Sequence, residues 1–409
     1  MAPYDAVSLF SGCGGFCEGA KLAGFRIPAA VEWDRFAAET YRHNFPEVPL
    51  FEGDVAAFLS PGDDRWDEHA ERFGHLRQSS VDLVFGGPPC QGYSQIGTRD
   101  LKDPRNALYT QFIRILTALR PRVFLMENVP NMLLLRKGMF RTQVLQAFQE
   151  AGYANVDVRV VAASDYGVPQ LRKRVVFFGV RDDLDFRIGA GEWMDAILAD
   201  ERQPGGTVRE AIGDLPEAVS QTGEPLAYPQ TEARSRILDE LRLDRDGLFY
   251  KTDRKQRAND GLLLHNHHTK EIQERRRALI AQLAPGMKGD SLPAEVWNGA
   301  RPEKWRRLHP DRPAYTILAQ MHRDLSEWVH PDYQRWITVR EAARLQSFHD
   351  GFVFQSSEWQ MLKQIGNAVP PLLGRAVATV ARRTLEYLDG DFESGEKGLE
   401  SPLALRLVI

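Results

Sequence analysis

The chain has 409 residues, 43% hydrophobic and 26% charged with a net charge of −4, as expected for a globular protein of one large or two medium domains. Three cysteines (Cys13, Cys17 and Cys90) are too few for a disulfide framework and lack zinc spacing, so we expect a reducing compartment and no metal. No run of 18 apolar residues occurs, and no basic start precedes an apolar stretch. Membrane spanning and secretion are therefore not expected.

The first predicted element is a buried strand over Ala6–Phe10, followed by a glycine turn and a helical pattern to Gly24. Gly12, Gly14 and Gly15 let the backbone approach a ligand at a helix N-terminus. Their spacing is not that of the dinucleotide-binding motif, and such turns also simply join a strand to a helix.

Acidic residues follow the next two predicted strands. Glu32 and Trp33 end the second strand, where Glu32 is suited to ribose hydroxyls and Trp33 to a purine face. A helical pattern over Phe36–Phe45 comes next, and the third strand ends at Asp54, which is suited to an adenine amino group. Each acid alone also fits a solvated or helix-capping role. Together they indicate a cofactor that contains adenosine but no pyrophosphate.

The fourth predicted strand, Val81–Phe85, leads to a rigid turn that carries a cysteine. It follows a polar segment, Ser60–Ser80, which we expect to be a surface connection. Gly86–Pro89 turn the chain, and Cys90 stands at the end of that turn. A lone cysteine is more often inert and buried than reactive. Gly97–Asn106 reads either as a mobile loop that closes over substrate or as a solvated connection.

A fifth strand, Val123–Met126, ends in Glu127, whose burial would raise its pKa and make an acid partner for Cys90. A helix over Met139–Glu150 and two further strands are predicted next. Strand alternation puts the long side chains that precede the last strand on one face. This face suits a phosphate or carbonyl oxygen, or is a basic edge strand, and its residues are Gln170, Arg172 and Arg174.

At this point the chain resembles the DNA cytosine-5 methyltransferases. The resemblance covers about residues 5–180 and 305–385, and Ser8 stands where the family often has Asp. The motifs are specific only as an ordered set. In order they are LFSGCGG (9–15), EWD (32–34), GDV (53–55), GGPPCQGYS (86–94), ENVP (127–130), QLRKR (170–174), RPAYTI (312–317) and QIGNAVPP (364–371).

The resemblance implies an α/β fold with a Rossmann-like, doubly wound, mostly parallel sheet, the S-adenosylmethionine-dependent methyltransferase fold, and a smaller inserted target-recognition domain. We expect a first catalytic part at 1–181, a recognition region at 182–310, a return segment with the C-terminal helix at 311–390 and a polar tail at 391–409. Within the return segment, Thr338 and Glu341 form a predicted capping box, and a long helix ends near Leu388.

The resemblance also implies a mechanism on a flipped-out cytosine. The thiolate of Cys90 adds to C6, Glu127 binds N3 and the exocyclic amine, and Arg174 holds O2. Arg172 supports Glu127 or a phosphate. The methyl group of S-adenosylmethionine then moves to C5. The implied cofactor-binding residues are Phe10, Gly12, Gly14, Gly15, Glu32, Trp33, Asp54, Val55, Pro88 and Asn367.

The region between the two matching parts has an uneven charge. Residues 182–250 hold 16 acids and seven Lys or Arg, whereas residues 251–312 hold eight acids and 14 Lys or Arg. We expect the basic part to face DNA phosphates, although a helix over Glu271–Leu283 also fits a solvated amphipathic helix. The predicted DNA-binding residues are Gln91, Ser94, Arg99, Arg105, Lys251, Arg254, Lys255 and Arg257. The histidines at 265, 267 and 268 have no second ligand set, which disfavours a metal-dependent nuclease.

The sequence therefore predicts a sequence-specific DNA methyltransferase that acts on duplex DNA, of the bacterial restriction-modification or defence kind. We expect a cytoplasmic, nucleoid-associated monomer, with a cognate restriction endonuclease or defence components as further partners. Two alternatives stay open from the residues: a tRNA cytosine-5 methyltransferase on the same scaffold, and a non-catalytic DNA-binding regulator. Intact Cys90, Glu127 and Arg174 argue against the regulator.

Overall fold

The computed structural model describes residues 3–77, 80–89, 108–220, 222–229, 235–242, 263–295, 297, 305–319 and 328–390. Across these ranges, no helix is both long and apolar enough to cross a membrane.

One sheet of seven strands organises the described part of the chain. Its strands are β1 Asp5–Leu9, β2 Arg26–Glu32, β3 Leu50–Glu52, β4 Leu83–Gly86, β5 Val123–Asn128, β6 Asn155–Ala162 and β8 Lys173–Val180. Their order is β3-β2-β1-β4-β5-β8-β6, and only β8 runs antiparallel to its neighbours in this sheet. This confirms the predicted fold class. The chain order reverses between β1 and β4, and ligands of such sheets bind in the crevice at that point.

The helices cover both faces of the sheet. Their bounds are α1 Gly15–Leu22, α2 Arg35–Asn44, α3 Asp64–Asp67, α4 Ala70–Phe73, α5 Leu108–Leu119, α6 Met139–Glu150, α7 Ala190–Asp200, α8 Val208–Ile212, α9 Arg236–Leu241, α10 Glu274–Gln282, α11 Val339–Leu345, α12 Glu358–Asn367 and α13 Pro371–Leu388. Because strand side chains alternate, Phe124 and Leu125 enter different cores on opposite faces. Burial on both faces explains the continuous apolar runs of the central strands β4 and β5.

The structure of residues 60–77 differs from the prediction. The segment predicted as a surface connection forms α3, α4 and a 3₁₀ turn over Gly74–Arg77. Trp66 and Phe73 are buried, and each packs in a T-shaped arrangement against the ring of Phe58. Most residues of this segment are polar, but its two aromatic residues pack into the same core as Phe51 of β3. The segment is therefore part of the core and not only a surface connection.

The C-terminal segment packs back onto the first helix. A Cβ at Gly19 of α1 would lie 2.5 Å from the carbonyl carbon of Gly374 in α13, so the two backbones meet without side chains between them. The predicted capping box is present at α11, where Thr338 accepts from the Glu341 amide and Glu341 from the Thr338 amide. Residues 328–390 therefore complete the core that the first 180 residues begin.

The middle of the chain adds short strand pairs. The strands are β7 Gln170–Leu171, β9 Leu226–Ala227, β10 Leu263–Leu264, β11 Arg306–Arg307, β12 Ala314–Tyr315 and β13 Trp328–Val329, paired as β7 with β12, β9 with β10 and β11 with β13. Helices α7, α8 and α9 bury side chains in the same core as the sheet. The division into a catalytic part and a recognition region at residue 182 stays a prediction, as does the polar tail, which lies outside the described residues.

Candidate active site

The functional residues gather at one edge of the sheet. The five parallel strands β1 to β5 end at this edge, and antiparallel β8 begins there. Side chains that are far apart in the sequence therefore come from neighbouring strand ends.

The glycine turn after β1 combines close packing with open space. Gly12 and Gly14 have positive φ angles of 57° and 107°, a conformation that favours glycine. A Cβ at Gly14 would lie 2.2 Å from the ring of Phe45, and one at Gly15 would lie 2.3 Å from the Val369 carbonyl oxygen. A Cβ at Gly12 would meet no described atom within 4 Å. Two glycines thus serve packing, and Gly12 leaves room for a ligand.

Glu32 ties this turn to the end of β2. Its two carboxylate oxygens accept hydrogen bonds from the Gly12 amide at 2.6 Å and the Asp34 amide at 2.7 Å. Burial raises the pKa of Glu32, and these backbone donors oppose that rise. Trp33, the next residue, is 71% exposed and presents its ring to the outside. A half-buried carboxylate thus stands beside an exposed flat aromatic surface.

The end of β3 carries the second acid. Asp54 accepts from the Ala56 amide at 2.9 Å, which closes a local turn, and Val55 beside it is buried. Phe10, at the end of β1, has a φ of 55°, a conformation that a non-glycine residue adopts only when its surroundings impose it. The predicted cofactor residues of the first three strands thus lie at the same edge of the sheet.

The turn after β4 is built around two glycines. A Cβ at Gly86 would lie 2.1 Å from the Leu9 carbonyl oxygen of β1. A Cβ at Gly87 would lie 2.7 Å from Oε2 of Glu127. The chain that leads to Cys90 therefore passes directly against the carboxylate at the end of β5.

Asn128 fixes this turn from the next strand. Its Nδ2 donates to the Pro88 carbonyl oxygen at 2.9 Å, and its Oδ1 accepts from the Val129 amide at 2.8 Å. The side chain is buried. Sequence reasoning did not assign Asn128 a role, although it lies inside the ENVP motif. Pro88 is itself buried, and its place in the site is as part of the rigid turn that Asn128 holds.

Glu127 and Arg174 form an ion pair at this edge. Arg174 Nε lies 2.7 Å from Glu127 Oε1, and the two side chains are only 12% and 13% exposed. Burial raises the pKa of Glu127, as predicted, while Arg174 and then Arg172 act to lower it. The pair forms because β8 runs antiparallel to β5, so the start of one strand meets the end of the other.

Arg172 does not lie where a phosphate could reach it. Its side chain is fully buried. Its guanidinium donates to the carbonyl oxygens of Ile317 at 2.9 Å, Gly366 at 2.8 Å and Ala368 at 3.0 Å. The expected phosphate contact is therefore wrong. The alternative role, support of Glu127, is limited to the electrostatic effect of its charge.

Gln170 likewise turns inward. It is fully buried and donates to Gln346 Oε1 at 2.6 Å, while its own Oε1 accepts from the Ile317 amide. Of the three side chains predicted to face a ligand together, only that of Arg174 is placed to do so. The other two face a segment that follows more than 140 residues later in the chain, as the 145-residue and 147-residue spacings of their bonds to Ile317 show.

Asn367 ends α12 and is exposed. The residues on either side of it are those whose carbonyls Arg172 holds, and Val369 follows against the glycine turn. One turn earlier, Lys363 Nζ donates to Asp34 Oδ2 at 2.6 Å. Lys363 was not identified from the sequence, and no motif in a single sequence marks it. The segment around Asn367 thus borders the cofactor end of the edge.

The predicted nucleophile and all the predicted DNA-binding residues lie outside the described residues. They are Cys90, Gln91, Ser94, Arg99, Arg105, Lys251, Arg254, Lys255 and Arg257. Their roles stay predictions. In the described ranges, no three His, Cys, Asp or Glu side chains cluster in a way that could hold a metal ion.

The sequence is similar to type II methyltransferases over nearly its whole length. The family model of the C-5 cytosine-specific DNA methylases matches residues 4–383. The type II methyltransferase M.AgeI of Thalassovita gelatinovora is 35% identical, with 91% of this chain and 97% of that protein covered. M.DdeI of Desulfomicrobium norvegicum, also a type II methyltransferase, is 33% identical over 91% and 87% of the two chains.

Solved structures show the same architecture. A prophage-encoded protein of E. coli, described as a DNA modification methyltransferase, aligns with a TM-score of 0.75 and 26% identity over 94% of this chain and 99% of its own. The Dnmt2 methyltransferase of S. pombe aligns with a TM-score of 0.53 at 18% identity over 94% and 99%, which supports the fold alone. The family and fold imply use of S-adenosylmethionine. From the family match and these relatives, the chain belongs to the C-5 cytosine-specific DNA methylase family and is a DNA (cytosine-5) methyltransferase.

Proposed function

We propose that this enzyme methylates C5 of a cytosine flipped out of duplex DNA, through a covalent bond between Cys90 Sγ and C6 of the base. The observation that carries the proposal is the ion pair of Glu127 and Arg174 at 2.7 Å, directly beside the Gly87 backbone that leads to Cys90. A nucleophile, an acid and a donor for a carbonyl oxygen then converge on one base.

The other two cysteines are unsuited to the nucleophile's role. Burial raises the pKa of Cys13 to about 12 and that of Cys17 to about 11. Both therefore stay protonated at neutral pH, and a protonated thiol is a poor nucleophile. This leaves Cys90 as the cysteine that can supply a thiolate.

Each residue then has a defined task in the reaction. The Cys90 thiolate adds to C6 and places electron density on C5, while Glu127 binds N3 and the exocyclic amine and shares the proton that balances the charge. Arg174 donates to O2. Methylation at C5 is followed by loss of the C5 proton and elimination of Cys90. Burial of Glu127 favours its protonated form, which suits a group that donates to N3.

The other half of the edge fits S-adenosylmethionine, which supplies the methyl group as an electrophile. Trp33 offers its exposed ring to the adenine, and Gly12 leaves space beside it. Each Glu32 oxygen retains a lone pair beyond its backbone bond and can accept a ribose hydroxyl. Asp54 takes the adenine amino group. The remaining residues of the pocket are Phe10, Gly14, Gly15, Val55, Pro88 and, at the methionine end, Asn367.

The type II relatives support a role in bacterial restriction-modification or defence. In that role we propose a sequence-specific enzyme that acts as a monomer on nucleoid DNA, with a cognate restriction endonuclease or defence components as partners. The recognition region at 182–310 supplies base contacts. Phosphates are contacted by two further sets of residues, Lys251, Arg254, Lys255 and Arg257 in the basic stretch, and Gln91, Ser94, Arg99 and Arg105 after the proposed nucleophile.

Trapping of the covalent intermediate tests the proposal. Duplex DNA with 5-fluorocytosine at the methylated position should form a denaturation-resistant adduct with the wild-type enzyme and S-adenosylmethionine, because fluorine cannot leave as a proton. The Cys90→Ser variant should bind S-adenosylmethionine normally, lose adduct formation and lose turnover by at least about 10³-fold. Retained turnover in this variant would show that Cys90 is not the nucleophile.

The substrate is tested separately. Wild-type enzyme is assayed on duplex DNA and on tRNA, and bisulfite sequencing of DNA from expressing cells identifies the methylated site. Transfer to tRNA without transfer to DNA would contradict the proposed substrate.

A further inference from the structure

A single buried guanidinium joins two parts of the site that the sequence separates. Arg172 is fully buried, and its two terminal nitrogens donate to three backbone carbonyls. Two of these carbonyls, those of Gly366 and Ala368, flank Asn367. Arg172 therefore does not contact a ligand. It holds the backbone on both sides of Asn367, the exposed residue that is proposed to contact the methionine end of the cofactor.

The segment that Arg172 holds is closely packed against neighbouring backbone. A Cβ at Gly366 would lie 2.4 Å from the Ala319 amide nitrogen, so the two backbones are in direct contact. Gln346 Nε2 adds a second donor to the Ala368 carbonyl at 2.7 Å. A buried polar layer thus connects the start of β8 to this segment, and its members depend on one another.

The same segment forms one wall of the cofactor side. Val369 places its carbonyl oxygen against Gly15, at 2.3 Å from the position of a Cβ. In α12, Lys363 reaches Asp34 at 2.6 Å, next to Trp33. Movement of the segment would therefore disturb both the glycine turn and the loop that carries the exposed tryptophan.

At its other end, Arg172 is two residues from Arg174, which pairs with Glu127. From this geometry we infer that Arg172 is a positioning residue. It fixes the segment around Asn367 to the strand that carries Arg174. The geometry of the cofactor pocket and that of the base pocket therefore both depend on the side chain of Arg172. The inference rests on the proposed function, because it assigns the two pockets their ligands.

The test measures the two pockets separately in Arg172→Met, Arg172→Lys and the matched variant Arg174→Met. The dissociation constant for S-adenosylmethionine is measured by calorimetry without DNA. Adduct formation with 5-fluorocytosine DNA is measured at saturating S-adenosylmethionine. Asn155→Ala, a change at the opposite end of the sheet, controls for lost stability alone.

We expect Arg172→Met to weaken S-adenosylmethionine binding by about tenfold and to slow adduct formation as well, because misplacement by a fraction of an ångström is costly in an active site. Arg172→Lys keeps the charge and one donor group, so it should recover part of the affinity. Arg174→Met should lose adduct formation and bind S-adenosylmethionine as the wild type does.

Two results would overturn the inference. One is wild-type affinity for S-adenosylmethionine in a folded Arg172→Met, with only the base step impaired. The other is an equal loss of affinity in Asn155→Ala. If Arg172→Met does not fold, Arg172→Lys decides: wild-type affinity in that variant likewise contradicts the inference. A wild-type enzyme that binds S-adenosylmethionine but traps no DNA would refute the proposed function and leave the cofactor measurement valid.

Discussion

The edge of the sheet where the functional residues gather has two halves, and the two halves use different kinds of interaction. The cofactor half, at the ends of β1 to β3, uses backbone amides, an exposed ring and the open space at Gly12. The base half, at the ends of β4 and β5 and the start of β8, uses the ion pair of Glu127 and Arg174, with about an eighth of each side chain exposed (12% and 13%).

The difference matches the work that each half does. Recognition of an adenosine needs shape, stacking and a few hydrogen bonds, and these work well at a partly exposed surface. Charge development on a base is stabilised best by fixed charges in a medium of low dielectric constant. The comparison therefore predicts that changes in the base half affect rate and changes in the cofactor half affect binding.

The largest effect is expected for Glu127→Gln. This change keeps the size of the side chain and removes the group that exchanges a proton with N3, so kcat should fall by about 10³-fold. Steady-state methylation and S-adenosylmethionine binding are measured on the same preparation.

Binding of S-adenosylmethionine should not change in Glu127→Gln. A variant that loses affinity for S-adenosylmethionine in proportion to its loss of kcat would show that the two halves are not separate.

A smaller effect is expected for Asn128→Ala. The change leaves the buried Pro88 carbonyl without its donor and loosens the turn before Cys90, so adduct formation should slow by about tenfold. It is followed with 5-fluorocytosine DNA under single-turnover conditions.

Asn155 provides a matched control at the far end of the sheet. It donates to the Ile188 carbonyl and accepts from the Ala190 amide, both at 2.8 Å. Asn155→Ala should lose comparable stability in a urea titration and keep the rate of adduct formation. Equal slowing in both variants would mean that Asn128 acts through stability alone.

In the cofactor half, Trp33→Ala should weaken S-adenosylmethionine binding by about tenfold, because stacking on a base contributes on this order. At saturating cofactor, kcat should stay near that of the wild type. Trp33→Phe keeps a ring and should restore most of the affinity, and an unchanged dissociation constant in Trp33→Ala would remove the stacking role.

The smallest expected effect is a change in the pKa of Glu127 when Arg174 is replaced. Burial raises the pKa of Glu127 and the positive charge of Arg174 opposes the rise, so Arg174→Gln should raise the pKa of Glu127 further. The measurement is a ¹³C NMR titration of the carboxyl groups of glutamate. Glu127 is identified by the signal that Glu127→Gln lacks. A pKa that falls or stays constant would show that the pair is not electrostatically coupled in solution.

Much of the fold follows from the sequence because each strand of a parallel sheet is an apolar run, and the carboxyl ends of these strands lie at one edge. The strands predicted over Ala6–Phe10, Val81–Phe85 and Val123–Met126 lie within two residues of the observed β1, β4 and β5. Glu32, Asp54 and Glu127 follow apolar runs, so a parallel sheet brings them to one edge. The capping box at Thr338 was likewise readable from local spacing.

Two predictions from the sequence were wrong, each for its own physical reason. Helices α3 and α4 have four residues each, too few to show a helical period. For Arg172, strand alternation predicts which side chains share a face. It does not predict what covers that face, and here the cover is Ile317, Gly366 and Ala368, which follow far along the chain.

The glycine contact between α1 and α13 bears on when the enzyme becomes competent. Gly19 and Gly374 are about 350 residues apart, and such distant contacts form slowly in folding. During synthesis, α1 lacks its packing partner until α13 has emerged, so Phe16 and its apolar neighbours stay uncovered and open to aggregation. A nascent chain therefore completes its cofactor pocket only after Pro371–Leu388 has left the ribosome.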